Sequence, residues 1–134
     1  MTPVLLPHAA PMHWLDRAYL NPDNSVTAQR LITPDHPFLE NNQLLPCALI
    51  ELLAQAAAAG VILASRSSAK KLKSGVLAAI QEFQILAPVH IHDLLTLTAC
   101  QEKSFGPFSA ATLRASLQNR AIATARMTFH LQFE

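Results

Sequence analysis

The side chain best suited to do chemistry is a glutamate that stands in an otherwise uncharged, apolar segment. Glu51 is the only charged residue between Glu40 and Arg66. Burial disfavours an ionised carboxyl group, so a glutamate in such surroundings is suited to act as a general acid near neutral pH. Cys47 and Gln55 lie four residues to either side of Glu51 and share its face if the segment is helical. The alternative interpretation is a glutamate that points into a solvent gap or makes a capping interaction.

The start of the same segment offers a second group of chemical interest. Pro46 suits the first turn of a helix. The N–H groups that follow it, around Cys47 and Ala48, form a positive dipole end that can polarise a carbonyl oxygen. Every helix has such an end, so the feature gains weight because Glu51 is one turn away. The sequence therefore predicts an acid and carbonyl-binding amides close together near the start of one helix.

The histidines supply the candidates for a base. His36 lies on the loop that leads into the helix, which predicts that it approaches Glu51. His8 lies in the N-terminal segment and is the second candidate. His90 and His92 alternate along the chain, but two ligands do not make a zinc site without a third. We therefore predict no metal site and no cofactor.

These groups are positioned by one long helix and several strands. The alanine-rich segment from Leu44 to Ala64 predicts a helix that is buried on all sides. A hairpin precedes it and about four strands in meander order follow it. The predicted strands are 12–20 and 26–33 before the helix, and 76–86, 94–103, 113–118 and 125–134 after it. Together they predict an α+β fold, in which an antiparallel sheet wraps around one central helix.

The composition limits the class of protein. A chain of 134 residues predicts a single domain, 1–134. Charged residues make up 14% of it, against roughly 25% in an average soluble domain, which indicates that some surface is buried against a partner. We therefore expect self-association, with a second copy pairing at an open sheet edge. The net charge of +1 provides no electrostatic attraction to nucleic acid.

Two features bear on the cellular location. A carboxylate at mid-span is costly in lipid, so Glu51 and Gln55 argue against a membrane span in the apolar segment. Residues 1–11 lack the positively charged start of a signal peptide. We therefore expect a cytoplasmic protein.

Several short motifs resemble those of the 3-hydroxyacyl-acyl carrier protein dehydratases, which have the hotdog fold. Within that group the chain is most similar to the smaller dehydratase-like proteins of aryl-polyene gene clusters. The resemblance covers nearly the whole chain. The motifs that carry it are Leu6-Pro7-His8, Pro11-Met12, Leu15-Asp16-Arg17, Asp35-His36-Pro37-Phe38, Ile50-Glu51-Leu52-Leu53-Ala54-Gln55-Ala56 and Gly106-Pro107-Phe108.

The resemblance implies elimination of water from a 3-hydroxyacyl thioester, delivered by acyl carrier protein or coenzyme A, in a homodimer or a higher or mixed oligomer. Glu51 matches the family's acid. Cys47 stands where the family has a glycine, which gives its backbone N–H the carbonyl-binding role together with Ala48, and Gln55 falls in the substrate-binding motif. The main branch carries Gly-His-Phe-Pro in the entry loop, and this chain has no such motif.

Because this motif is missing, the resemblance does not identify the residue that acts as the base. Anchoring the resemblance on Pro37-Phe38 puts Asn42 at the histidine position, whereas counting back from Glu51 ends beside His36. Either His36 is the base, or His8 reaches in, or the standard chemistry is lost. Two alternatives to the dehydratase therefore remain: a hotdog thioesterase, and a non-catalytic subunit that binds acyl chains or completes a heterodimer.

Overall fold

The long apolar segment forms a single helix, α1 (Pro46–Ser65), within two residues of the predicted bounds. Pro46 occupies its first turn, where the missing N–H of proline leaves no helical bond unmade. The structure is a computed structural model that describes residues 14–65 and 72–133. Among these residues α1 is the only helix.

The described strands form one six-stranded antiparallel sheet and one two-stranded ribbon. The sheet has the order β1-β2-β6-β7-β8-β5, and the ribbon pairs β3 with β4. Their bounds are β1 (Arg17–Leu20), β2 (Val26–Leu31), β3 (Leu39–Glu40), β4 (Gln43–Leu44), β5 (Leu72–Ile85), β6 (Leu94–Phe105), β7 (Phe108–Leu117) and β8 (Arg120–Phe133).

The predicted four-strand meander is wrong at its first member. β6, β7 and β8 follow one another as a meander, but β5 pairs antiparallel with β8, not with β6. The place next to β6 is taken by β2, from the N-terminal hairpin. β5 therefore forms one edge of the described sheet, and β1 forms the other.

Asparagines at positive φ make several of the tight turns. Asn24 closes the predicted β1–β2 hairpin, Asn41 and Asn42 connect β3 to β4, and Asn119 connects β7 to β8. Asparagine tolerates this left-handed conformation better than most residues that carry a side chain. The β3–β4 ribbon was not predicted, because each of its strands has only two residues.

The core lies between α1 and the inner face of the sheet. Alanines at 0% exposure let the helix approach the strands closely, and Gly60 comes closer still: a Cβ there would lie 3.1 Å from Val26 Cγ1. By length and composition alone α1 is a candidate membrane span, but its apolar side chains pack against the sheet. The large side chains of the core are Trp14, Ile32, Leu52, Leu53, Leu95, Leu97, Leu113, Ile122 and Met127.

Two isoleucines on the inner face of β5 are exposed. Ile80 pairs with Met127 and Ile85 pairs with Ala123, so both isoleucines share the face that carries the core elsewhere in the sheet. Ile80 is nevertheless 40% exposed and Ile85 41% exposed. Among the described residues the core is therefore open at these two positions, although Leu77 and Phe83 of the same strand pack against it.

Candidate functional site

A cavity of about 600 Å³ lies between α1 and the inner face of the sheet. The helix contributes small side chains to its wall, among them Ala54, Ala57 and Ala58. Glu51 is half-buried and is the lining residue of α1 nearest to the helix start. It is also the only charged residue among the described residues that line the cavity. The cavity therefore brings one carboxyl group against a largely apolar space.

A pair of polar side chains interrupts the apolar wall on the sheet side. The Gln101 amide Nε2 donates a hydrogen bond of 2.7 Å to the Ser109 hydroxyl oxygen. Both residues line the cavity, and Ser109 is buried. The sequence analysis missed them. The period-2 alternation of the strands could have indicated them, because it places Gln101 on the same face as the buried Ala99, and Ser109 on the same face as the buried Ala111.

Glu51 is linked by hydrogen bonds to the segment that precedes β1. Gln55 Nε2 donates to Glu51 Oε1 at 3.0 Å, one helical turn away. Gln55 Oε1 in turn accepts the backbone N–H of Trp14 at 2.8 Å. Gln55 is fully buried and is not among the described lining residues of the cavity. The structure therefore brings the predicted acid together with Gln55. Glu51 lines the cavity, whereas Gln55 contacts Glu51 from the buried side and does not reach the described cavity wall.

His36 is buried beside the same tryptophan. The centroid of its ring lies 4.7 Å from that of Trp14 in an edge-to-face arrangement. The Phe38 ring also packs edge-to-face against Trp14, with 5.3 Å between the ring centroids. His36 is only 5% exposed and does not line the described wall of the cavity. The contacts that the structure gives connect His36 to Glu51 indirectly, from His36 to Trp14, from Trp14 to Gln55 and from Gln55 to Glu51.

The hydrogen bonds of the His36 ring define its protonation. The Phe38 backbone N–H donates to Nδ1 at 3.1 Å, so in the neutral ring the proton is on Nε2. Nε2 is buried without a hydrogen-bond partner among the described residues. Burial lowers the pKa of His36 below its ordinary value, the positive charge of Arg30 lowers it further, and Asp35 opposes both. His36 is therefore a neutral imidazole whose basic lone pair is occupied by Phe38.

The other predicted binding residues lie apart from this cavity. The Ala48 backbone N–H donates to the Leu45 carbonyl at 3.0 Å, and Cys47 is exposed in the first turn of α1. Asn42 is exposed in the β3–β4 turn, where its carbonyl accepts the Ile91 N–H. His8 lies outside the described residues. The helix start instead borders a second cavity of about 340 Å³, between α1 and the end of β5.

The other described histidines do not gather into a cluster. His90 Nδ1 lies 3.9 Å from the Asp93 carboxylate, and His90 Nε2 lies 3.3 Å from the Gln43 amide. His92 is exposed. Within 14–65 and 72–133, no group of three His, Cys, Asp or Glu side chains is arranged to hold a metal ion.

A family model matches almost the whole chain. It is the ApeP-like model, described as ApeP dehydratase, and it matches residues 2–130. None of the curated proteins matches the chain.

Solved structures share the architecture at low sequence identity. The dehydratase heterocomplex ApeI:P from Xenorhabdus doucetiae matches with a TM-score of 0.81 and 23% identity, over 95% of this chain and 88% of that chain. A hypothetical thioesterase with coenzyme A from Streptococcus pneumoniae TIGR4 has a TM-score of 0.69 and 15% identity, over 88% and 84%. The E. coli PaaI protein has a TM-score of 0.64 and 17% identity, over 80% and 72%. These likenesses confirm the predicted hotdog fold.

Proposed function

Because the chain belongs to the ApeP-like dehydratase family, we propose that it removes water from 3-hydroxyacyl thioesters to give trans-2-enoyl thioesters. A base takes the proton from C2, the C2–C3 double bond forms, and the C3–O bond breaks. The departing hydroxyl takes a proton from an acid and leaves as water. The acyl group is delivered by acyl carrier protein or coenzyme A, in a biosynthetic pathway of fatty-acid or polyene type in the cytoplasm.

The observation that carries this proposal is the position of Glu51 in the cavity wall. A 3-hydroxyacyl chain is apolar apart from its thioester end, and the cavity is apolar apart from Glu51 and a few neutral polar groups. A carboxyl group that lines such a space is suited to protonate the departing hydroxyl. We therefore assign the role of acid to Glu51.

The base is proposed to be a histidine. For His36 to accept the C2 proton on Nε2, its neutral tautomer must change, and the ring must release the Phe38 amide from Nδ1. His8 is the second candidate and lies outside the described residues. The thioester carbonyl is proposed to bind at the backbone N–H of Cys47, since the Ala48 amide already donates to Leu45.

The active form is proposed to be an oligomer. Ile80 and Ile85, which are exposed on the inner face of β5, offer a contact to a second subunit, which would cover the core at these positions. The second subunit is another copy of this chain or a related hotdog subunit, as in the dehydratase heterocomplex that this chain resembles.

The test follows both possible products of 3-hydroxyacyl thioesters of coenzyme A and of acyl carrier protein. Enoyl formation is read by ultraviolet absorbance and thiol release by a disulfide reagent, for the protein alone and after mixing with ApeI of Xenorhabdus doucetiae. ApeI alone gives the baseline. Enoyl formation that is abolished by Glu51→Gln supports the proposal. Thiol release without enoyl product identifies a thioesterase and overturns it.

The same assay identifies the base. Loss of enoyl formation in His36→Ala, with His8→Ala unaffected, assigns the role to His36, and the reverse result assigns it to His8. General acid–base groups contribute about 10²- to 10⁴-fold, so the loss is well above assay error.

A second candidate function is that of a non-catalytic subunit in a mixed complex. The observation that favours it is the His36 ring, whose basic lone pair on Nδ1 already accepts a hydrogen bond from the Phe38 amide. In that case the chain alone gives no product, the mixture exceeds the ApeI baseline, and Glu51→Gln and both histidine variants support the mixture as well as the natural chain does.

A further inference from the structure

Gln101 and Ser109 form a polar pair in the cavity wall that the proposed chemistry does not use. The Gln101 amide Nε2 donates to Ser109 Oγ at 2.7 Å and to Ser104 Oγ at 3.3 Å. Ser109 is only 6% exposed, whereas Gln101 also contacts solvent. The pair interrupts a part of the wall that is otherwise apolar. The apolar wall residues on the same three strands, β6 to β8, are Ala99, Ala111, Phe129 and Leu131.

Each residue of the pair has one hydrogen-bonding function that is not used. Ser109 Oγ accepts a hydrogen bond from Gln101, but the Ser109 O–H donates to no acceptor among the described residues. The Gln101 amide donates through Nε2, and its Oε1 accepts no hydrogen bond from the described part of the chain. A buried polar group that makes no hydrogen bond costs free energy. The pair therefore has one donor and one acceptor left for a ligand in the cavity.

The course of β2 along α1 shows where this pair lies. Near the end of β2, Arg30 donates to the carbonyl of Trp14, whose own N–H is bonded to Gln55 of α1. At the start of β2, Val26 lies against Gly60, where an added Cβ would come within 3.1 Å of Val26 Cγ1. The end of β2 is therefore the part nearer to the start of α1, and the start of β2 lies beside the later turns of the helix.

The polar pair lies beyond Gly60, at the end of the cavity that is remote from Glu51. In the sheet Val26 pairs with Ala99 of β6, and Gln101 continues two residues further in the same direction. Nine residues of α1 lead from Glu51 to Gly60, which is about 13 Å of helix and the span of an extended acyl chain of roughly ten carbons. An acyl chain whose C3 hydroxyl lies at Glu51 therefore brings its far end to the pair.

A neutral hydroxyl group matches both unused functions of the pair. Its oxygen can accept the Ser109 O–H, and its own proton can be donated to Gln101 Oε1. A methyl group makes neither bond. A carboxylate has no proton to donate, and it would be buried without a counter-charge, because the only charged side chain in the described wall is that of Glu51.

We propose that Gln101 and Ser109 are specificity-determining residues, which select acyl chains that carry a hydroxyl group near the end remote from the thioester. An unsubstituted chain that extends past the pair covers the Ser109 O–H without a hydrogen bond, so the pair disfavours long alkyl chains. The inference rests on the proposed function, in which Glu51 faces the C3 hydroxyl and so sets the position of the chain. The pair lies far from the reacting carbons and therefore acts on binding.

Binding of unreactive ligands tests the pair without catalysis. The probes are amide analogues of acyl-pantetheine, which neither dehydrate nor hydrolyse. One series ends in a methyl group and the other in a hydroxyl group, and the chain lengths bracket the span from Glu51 to Gly60. Calorimetry compares the natural protein with Ser109→Ala and Gln101→Met. Ser116→Ala is the matched control, because Ser116 is a half-buried serine of the same strand that lies outside the described wall of the cavity.

We expect the natural protein to bind the hydroxyl-ended ligand about 10-fold more tightly than the methyl-ended ligand of equal length. Ser109→Ala should lose this preference and should bind the methyl-ended ligand more tightly than the natural protein does, which is a gain that misfolding cannot produce. Gln101→Met should weaken the preference, and Ser116→Ala should keep it. Equal affinities of the natural protein for the two ligands, an unchanged preference in Ser109→Ala, or no binding of either ligand overturns the inference.

Turnover separates this inference from the proposed function. Among 3-hydroxyacyl thioesters, a second hydroxyl group at the far end should lower KM at unchanged kcat, and Ser109→Ala should remove that difference. If the unreactive ligands show the preference while no enoyl product forms, the pair keeps its role in binding and the proposed function fails. If enoyl product forms from both substrates with equal KM, the proposed function stands and the inference about the pair fails.

Discussion

The buried His36 makes the stability of the fold depend on pH below neutrality. Its folded-state pKa lies below the ordinary value of 6.5, chiefly because of burial and further because of Arg30. As the pH falls, the unfolded chain therefore takes up this proton before the folded protein does. The contribution of the neutral ring to stability is complete above the unfolded pKa and is lost as the pH falls through the folded pKa.

The size of the effect follows from one proton. Between the two pKa values of His36, each pH unit removes up to about 1.4 kcal/mol of unfolding free energy. Domains of this size are stable by only about 5–15 kcal/mol, so the loss is readily measured. Below the folded pKa the slope from this residue returns to zero.

The assay compares the natural protein with His36→Gln. Glutamine does not titrate, and its side-chain oxygen can accept the Phe38 amide in place of Nδ1. Urea unfolding from about pH 8 to pH 5 gives the unfolding free energy of each protein. We expect the difference between the two to be constant above the ordinary pKa and to shrink as the pH falls. His92→Asn, at an exposed histidine, serves as the control and should track the natural protein. Parallel curves for the natural protein and His36→Gln would refute the reasoning.

Three further predictions concern the sheet edge and the cavity. Ile80→Lys should lower the association state measured by light scattering, because it places a charge at an exposed isoleucine on the inner face of β5. Gln81→Lys, on the opposite face, should leave the association state unchanged, and equal effects of the two substitutions would contradict the role of the inner face. Ala58→Leu should weaken the binding of long acyl chains, measured by fluorescent displacement, while short chains bind as before; uniform weakening would count against an acyl cavity. Gly60→Ala should be less favourable by about 1–3 kcal/mol in the natural chain than in a Val26→Ala background, because the new Cβ meets Val26; additive effects of the two substitutions in chemical denaturation would disprove the contact.

The elements that could be predicted from the sequence are those with a long, regular pattern of apolar and polar residues. α1 and β8 show long uniform patterns, and both were predicted within a few residues, apart from the start of β8. The place of β5 was not predictable from its own residues. Its alternation is broken by register irregularities against β8, and its edge position depends on β2 having taken the place beside β6.

The only part of the candidate site that could be predicted and that lines the cavity is the residue that the charge pattern singles out. Glu51 was singled out because it is a lone charge in an apolar segment, and it does line the cavity. The environment of His36 was not predictable, since it depends on Trp14, which reaches the ring through tertiary packing, and on the local backbone geometry that brings the Phe38 amide to Nδ1. Gln55 was predicted at the site from helical spacing, but spacing does not distinguish a residue that touches substrate from one behind the acid.

The order of synthesis gives α1 a period of exposure. The helix ends at Ser65, but the strands that complete its cover, β6 to β8, end only at Phe133. At about 5–20 residues per second, the ribosome needs roughly 3–14 s to make the intervening chain. During that time the nascent protein carries a segment with the length and composition of a membrane span and no sheet around it. The apolar side chains of α1 are therefore fully covered only after the last strand has been made.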